Sequence, residues 1–439
     1  MAIGLISLNS YSLADTFFVG QLGTFPLAAM GFTFPVTFSL MAIGLGIGIG
    51  ASSVISRLLG TGDIERVQRI TTHALLLAAV LGGVVSVVGF NSIDFVFSGL
   101  GAGPKTLPLI RQYMQVYYLG GFFMILPMVG NFSMRAAGDA RVPAVILSTS
   151  AFINIALDPV LIFGLFGFPR LELRGAAIAT VLANAVTVVA SIAILRWREQ
   201  LIRARYVSFH MLLDSWRRLL HIGVPAMASN LLSPITIGVI TLFVSAYGPP
   251  AVAGFGVASR VESVIMIVIF AVTSSVGPFT GQNFGAGRLD RVRHNTRLAE
   301  RFCLLYGFFA AAVLWLGGTG LVGSFNDDRT VIAAASLYLT IVPFSLGSFG
   351  VMLVAVACFN ALGRPLPATA LTFVKLFIAY IPLAWLLAKG AGLSGIFWAN
   401  ACCHVAFGAV GFLLLRRALD AMDRDAAANA VAAGARPTA

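Results

Sequence analysis

Charge is what this chain has least of. Of its 439 residues, 10% are Asp, Glu, Lys or Arg against 58% hydrophobic, and the mean hydropathy is +0.92. A soluble chain carries roughly 25% charged residues, so a fold wetted on all sides is excluded. Cysteine is scarce as well. Cys303, Cys358, Cys402 and Cys403 lie in apolar runs without CxxC spacing, which leaves no disulfide scaffold and no thiolate metal site; they read as small buried hydrophobes. HExxH, GxSxG and the Walker lysine motif are absent, and His404 beside Cys403 reads as a packed residue, so neither an intramembrane enzyme nor an ATP-driven pump finds its machinery here. A cleavable leader is not expected, because the first apolar segment runs into a span without a small-residue cleavage site.

What the chain has in quantity is apolar runs of about 20 residues, the length that crosses a hydrocarbon core as helix. They are too long for barrel strands of about ten residues, and helices then remain the way to satisfy the backbone in lipid. Twelve spans are expected, near 2–20, 26–56, 68–98, 107–135, 141–166, 175–197, 218–247, 251–284, 298–324, 331–362, 365–388 and 394–416. Pro35, Pro127, Pro159, Pro234, Pro343 and Pro382 fall inside spans and should bend some of them.

The net charge of +12 invites a nucleic-acid reading, but its placement opposes one. With the N-terminus inside, the inner loops and the tail hold 21 of the 29 Lys and Arg, while the outer loops hold six. That is the positive-inside pattern, which puts both termini in the cytoplasm. The basic charge records topology.

The chain is also written twice. "FFVGQLGTFPLAAMG" (17–31) aligns with "LFVSAYGPPAVAGFG" (242–256), "GTGDIERV" (60–67) with "GAGRLDRV" (285–292), and Gly138 with Gly363, all at an offset of 225. An even number of spans returns each half to the side it left, so the halves run in the same sense, a parallel repeat of the kind transporters use. The expected division is an N-lobe at 1–197, a cytoplasmic linker at 198–217, a C-lobe at 218–416 and a cytoplasmic tail at 417–439. The fold class is therefore an all-α polytopic membrane protein of two pseudo-symmetric six-helix bundles. "GLGIGIGAS" (44–52) lies within a span, so its glycines read as sites of close helix contact rather than a dinucleotide fingerprint.

The halves differ where it matters. Asp15 faces Ile240 in the repeat, Asn154 faces Ala379, and Asp158 faces Leu383. Asn154 and Asp158 are four apart and share a helix face, as do Tyr11 and Asp15. A carboxylate charge at membrane depth is costly unless it is neutralised or paired, and no lysine or arginine lies near these two in their own helices. Asp15 and Asp158 thus read as a coupling-ion site, with structural cross-helix bonding as the competing account. Asn131, in "PMVGNFSMRAAG", is a further polar residue in an apolar stretch. In the second half Arg260 and Glu262 are two apart and face different ways; substrate contact and structural pairing both fit. Lys375 could snorkel or line the cavity, and snorkelling is the expectation.

In these stretches the chain resembles the multidrug and toxic-compound extrusion (MATE) family, nearest its prokaryotic DNA-damage-inducible branch. The motifs are "ADTFFVGQLG", "LAAMG", "SRLLGTGD", "RAAGDAR-P", "NIALDPVLIFG" and "GQNFGAG", spread over nearly the whole chain. The resemblance implies an N-lobe polar cluster of Asp15, Asn154 and Asp158, joined by Asn131 and, with a more variable loop before it, Thr180. Tyr11, Arg260 and Glu262 are the candidates for contact with substrate. Family members usually carry more first helix, often with a proline, ahead of the Asp; here 14 residues precede Asp15 and none is proline, so a proline-dependent bend does not carry over. The expected function is a secondary antiporter of the plasma membrane, exporting amphipathic, often cationic, small organic compounds against protons or sodium. It needs neither ATP nor another cofactor, binds no nucleic acid and works as a monomer. Na+ at Asp15, Asp158 and Asn154 is the only metal considered. The alternative is a lipid-linked oligosaccharide flippase, whose cavity would need more basic groups than Arg260 and Lys375.

Overall fold

The computed structural model describes residues 2–203, 208–323 and 328–432; parts of the expected linker (204–207) and tail (433–439) lie outside the described residues. The first half contains α1 (Ala2–Gly20), α2 (Thr24–Thr61), α3 (Ile64–Gly99), α4 (Leu107–Leu119), α5 (Gly121–Ala136), α6 (Arg141–Phe163) and α7 (Glu172–Ala193). The second contains α8 (Phe209–Ser245), α9 (Pro249–Gly285), α10 (Leu289–Gly323), α11 (Arg329–Ile341), α12 (Pro343–Ala361), α13 (Pro365–Phe373) and α14 (Ile381–Ala432). Among the described residues nine helical segments are long and apolar enough to cross a membrane, and α4 with α5 makes a tenth, bent by 51°. The segment from Pro365 onward breaks at Gly392 (φ 63°, ψ −143°) into two crossings, and α1 adds a 19-residue apolar helix. Twelve crossings result, all helical, as the spans require.

Two of the expected spans are broken. The fourth gives way at Gly120, not at Pro127, which sits inside an unbroken α5. The reason is packing: a Cβ on Gly120 would stand 2.4 Å from Val181 Cγ2, and one on Gly121 would stand 2.6 Å from Ser86 Oγ. In the second half the break falls at Pro343, where the proline can start a helix but not continue one. Pro35 and Pro159 lie inside continuous helices. Pro382 follows a π-helical turn at Val374–Tyr380; its missing N–H removes one i→i−4 bond there.

The repeat seen in sequence is a repeat in backbone conformation. Gly23 (φ 120°) and Gly248 (φ 94°) precede the second helix of each half, Gly62 (77°) and Gly287 (72°) follow it, and Gly138 (100°) and Gly363 (75°) turn the chain after the fourth crossing. Each pair is separated by 225, and each adopts a positive φ that side chains with a Cβ avoid.

The chain forms two compact units, Met1–Asn230 and Leu231–Ala439. The division falls inside α8, later than the expected linker, for identifiable reasons. Trp216 Nε1 donates to His73 O at 3.0 Å, and His73 Nδ1 lies 2.8 Å from Ser215 Oγ. Gln68 Nε2 donates to Gln200 O at 2.8 Å, and Arg198 pairs with Asp139 at 2.9 Å. The stretch after α7 and the start of α8 therefore belong to the first unit. Asp139 also accepts the N–H groups of Arg141 and Val142. Partial burial pushes its carboxyl up, but these bonds and Arg198 outweigh that and hold it below the usual carboxylate range. In the second unit the expected tail continues α14 as helix, with Arg293 pairing Asp420 at 2.6 Å and Asp423 beside it.

The glycines of "GLGIGIG" face two ways. A Cβ on Gly44 or Gly48 would lie 2.6 Å from Met128 Sδ or 2.4 Å from Phe132 Cδ2 of α5. On Gly46 or Gly50 it would lie 2.7 Å from Gly223 O or 2.5 Å from Leu219 O of α8. Two interleaved sets, each at a spacing of four, let α2 take side chains of α5 on one side and the backbone of α8 on the other. The Gly50 approach is to backbone, which cannot swing aside. Gly50→Val should therefore destabilise the purified protein by about 1–3 kcal/mol through overpacking, read as a lower melting temperature in detergent. Gly83→Ala, where a Cβ meets nothing within 4 Å, should melt no lower than the parent; equal melting of the two variants would refute the contact.

Candidate functional site

The polar cluster is assembled by helix register. α1 and α6 run parallel: Ser7 Oγ donates to Ser148 Oγ at 3.0 Å, and a Cβ on Gly4 would lie 3.2 Å from Ala144 Cα. Continued eight residues up both helices, that register sets Asp15 level with the turn that holds Asn154 and Asp158. α7 runs antiparallel to α6, with Ser150 Oγ donating to Ala183 O at 3.1 Å. This brings Thr180 opposite Asn154. Oriented to satisfy both ends of its amide, Asn154 donates to Asp158 Oδ2 at 3.3 Å and accepts from Thr180 N and Thr180 Oγ1, each at 3.3 Å. Asn184 Nδ2 donates to Thr180 O at 2.9 Å and closes the wall.

These side chains surround a cavity of about 490 Å³ lined entirely by residues of the first unit. Tyr11, Asp15, Asn131, Asn154 and Thr180 line it; Asp158 stands behind Asn154, outside the lining. Asp15 is 7% exposed and Asp158 0%. Asp15 Oδ1, Asp158 Oδ1 and Asn131 Oδ1 are all buried without a hydrogen-bond partner. Most buried polar atoms in folded proteins are bonded. Three orphan acceptor oxygens in one neighbourhood make a place for something that donates or carries positive charge: a proton, a cation or water.

The other candidates lie in the second unit. Arg260 is exposed on α9. Glu262 accepts a short hydrogen bond from the Tyr338 hydroxyl, and Tyr338 packs edge-on against Phe255 and Phe397. Lys375 does not snorkel. It is 3% exposed, with its Nζ 3.8 Å from the centre of the Phe349 ring, and that ring stacks on His404 at 4.5 Å. The π-helical turn displaces Lys375 inward, and the ring face replaces the water an ammonium would otherwise seek.

Three lining residues were not singled out from sequence. Tyr113 and Tyr117, stacked with ring centres 5.9 Å apart, form part of the wall beside Tyr11 and Asp15. Their spacing of four in "RQYMQVYYLGG" puts them on one face and is the signal that could have found them. Arg135, which sequence reading counts among the loop charges, also lines the cavity.

A family model, MatE, matches residues 1–160 and 225–386, the same two blocks as the repeat. The chain is 36% identical over 415 residues to a FAD transporter of Shewanella oneidensis, covering 94% of this chain and 92% of that one. It is 26% identical over 424 residues to the multidrug export protein MepA of Staphylococcus aureus, covering 95% and 92%. Among solved structures it superposes on the Vibrio cholerae MATE transporter VcmN in the bent form with a TM-score of 0.91 at 29% identity, covering 96% and 95%.

The Asn154 bridge is testable without any ligand. Asn154→Ala leaves the second oxygen of Asp158 and the Thr180 hydroxyl without this partner, which should cost about 1–3 kcal/mol. Combined with Asp158→Asn, the losses should fall short of additive by about 0.5 kcal/mol or more. Thermal unfolding of the four proteins measures this, and strict additivity would mean that Asn154 and Asp158 do not interact.

Proposed function

The chain belongs to the MatE family, and from that premise we propose that it is a secondary antiporter. It exports amphipathic, often cationic, small organic compounds in exchange for inward-moving protons. One observation carries the reading: three carboxyl and amide oxygens, two of them on residues lining a cavity and the third just behind its wall, are buried and unbonded. A proton on Asp15 or Asp158 neutralises a charge that the membrane interior penalises and adds a donor where only acceptors stand. When the proton leaves, the carboxylate attracts a cation into a wall of tyrosines, where aromatic faces also favour positive charge. Proton and cationic substrate then oppose one another at Asp15. Antiport requires that opposition, since each ligand must bias a different state of the transporter. Asn154 and Thr180 orient Asp158, and Asn131 supplies a further oxygen. The same oxygens could ligate Na+, the competing choice of coupling ion. The charge pattern of the loops supports a multi-pass inner-membrane protein with cytoplasmic termini.

The relative named a FAD transporter favours a second reading, in which the exported compound is a flavin dinucleotide. Its identity, 36%, is higher than that of the multidrug exporter MepA. A lipid-linked oligosaccharide flippase gains no support from either relative.

Reconstitution tests the coupling. In proteoliposomes with an imposed pH gradient and sodium-free buffer, the wild type should move ethidium. Asp15→Asn, which keeps size and hydrogen bonding but cannot change its charge, should abolish gradient-driven movement while still inserting and retaining some ethidium binding. Transport by Asp15→Asn at the wild-type rate would make the cluster structural, and a wild type that needs sodium would move the assignment from proton to Na+.

A further inference from the structure

The cavity face of α5 is a single stripe. Met124, Pro127, Met128, Asn131, Phe132 and Arg135 line the space at intervals of three and four, and the stripe ends in a guanidinium. Arg135 Cζ stands over the Phe132 ring, 3.8 Å from its centre, and its Nε is buried without a hydrogen-bond partner. The nearest acidic residue along the chain, Asp139, is already taken: it holds Arg198 and two backbone N–H groups at the start of α6. No carboxylate of the described residues forms an ion pair with Arg135.

This geometry has a chemical meaning. A guanidinium held over an aromatic ring is attracted to its face and loses freedom to wander, so its N–H groups are kept at one place. Their fork matches the two oxygens of a phosphate or carboxylate. An arginine serving only as a loop anchor would spread into headgroups or water; this one is drawn back along the cavity wall with a donor buried. The cavity therefore carries opposite charges at separate places, Asp15 on α1 and Arg135 at the end of α5.

We propose that Arg135 is an anion-recognising subsite of this cavity, selecting amphipathic organic compounds that carry a phosphate or carboxylate group. The assignment rests on the reading of the cavity as the substrate's binding place, and it adds a specificity determinant that the Asp15 cluster does not supply. A cation is recognised at the carboxylate and tyrosine end, an acidic compound at the Arg135 end.

Flavin mononucleotide and riboflavin make the discriminating probes, because they share one ring system and differ by a phosphate. Binding to the purified full-length protein in detergent, followed by flavin fluorescence, should favour the mononucleotide by about tenfold or more, the scale of a charge-assisted hydrogen bond. Arg135→Gln should bring the ratio close to unity by weakening the mononucleotide alone, with ethidium still bound. Arg135→Lys should keep part of the preference, since it retains charge without the planar fork, and it carries the test should the glutamine variant fold poorly. A ratio unchanged by Arg135→Gln, or absent in the wild type, would overturn the proposal. So would an equal loss for all three probes, which would make Arg135 a structural residue. A lipid phosphate could present the same chemistry, so the comparison is repeated in nanodiscs of phosphatidylcholine and of phosphatidylglycerol. Loss of the mononucleotide preference only in phosphatidylglycerol would assign the site to a headgroup and overturn the substrate assignment. Phosphate discrimination through Arg135 in a protein that fails to exchange ethidium for protons would leave this inference standing and remove the antiport reading.

Discussion

A polar atom at membrane depth must find a partner in the protein, because the hydrocarbon supplies none. Much of this structure follows from that constraint. The backbone answers it with helices, broken at only a few places. Hydroxyls answer it locally, as where Thr71 Oγ1 donates to Val67 O at 2.9 Å and Ser133 Oγ to Val129 O at 2.8 Å. His73 and His404 answer it with serine partners on neighbouring helices. Against that background the exceptions carry information. Asp15, Asp158, Asn131 and Arg135 all gather at or beside one cavity of the first unit, and each keeps an atom unbonded. The other buried unbonded side-chain atoms among the described residues, His73 Nε2, Ser191 Oγ, Asn295 Nδ2 and Ser336 Oγ, include no carboxyl and no guanidinium.

The duplicated chain shows how such a site arises on a general scaffold. The turning glycines fall at the same positions in both halves, so the halves share a backbone plan. The chemistry is not shared. Ile240, which stands where Asp15 would, is fully packed at 1% exposure. Ala379 and Leu383 replace Asn154 and Asp158. The second half instead buries a different set, Glu262 on Tyr338 and Lys375 on Phe349. A parallel repeat with unlike polar content can respond to a ligand in one half while the other keeps its packing.

Much of this was legible in the sequence. Length and apolarity gave the twelve crossings, one constant offset gave the duplication, and residues set four apart in spans gave Asp15, Asn154 and Asp158 as one cluster. Asn131 stood out as a polar residue in an apolar stretch, Thr180 came from resemblance, and both line the cavity. What escaped depended on contacts between helices. The break at Gly120 comes from Val181 and Ser86 on other helices, whereas Pro127, the obvious breaker, lies in a helix that stays whole. The first unit extends into α8 because Trp216 and Ser215 meet His73, a contact no local pattern announces. Lys375 turns inward because a π-helical turn and a phenyl ring receive it. Arg135 looks like one more loop charge until Phe132 is seen beneath it.

The central claim is that binding of a cationic substrate and protonation of the Asp15 cluster exclude one another. It is tested most directly by counting protons. Purified protein in weakly buffered detergent, mixed with ethidium in the presence of a pH-sensitive dye, should release protons as the cation binds, and the release should vanish in Asp15→Asn although ethidium still binds. Ethidium binding by the wild type without proton release near neutral pH would contradict the account.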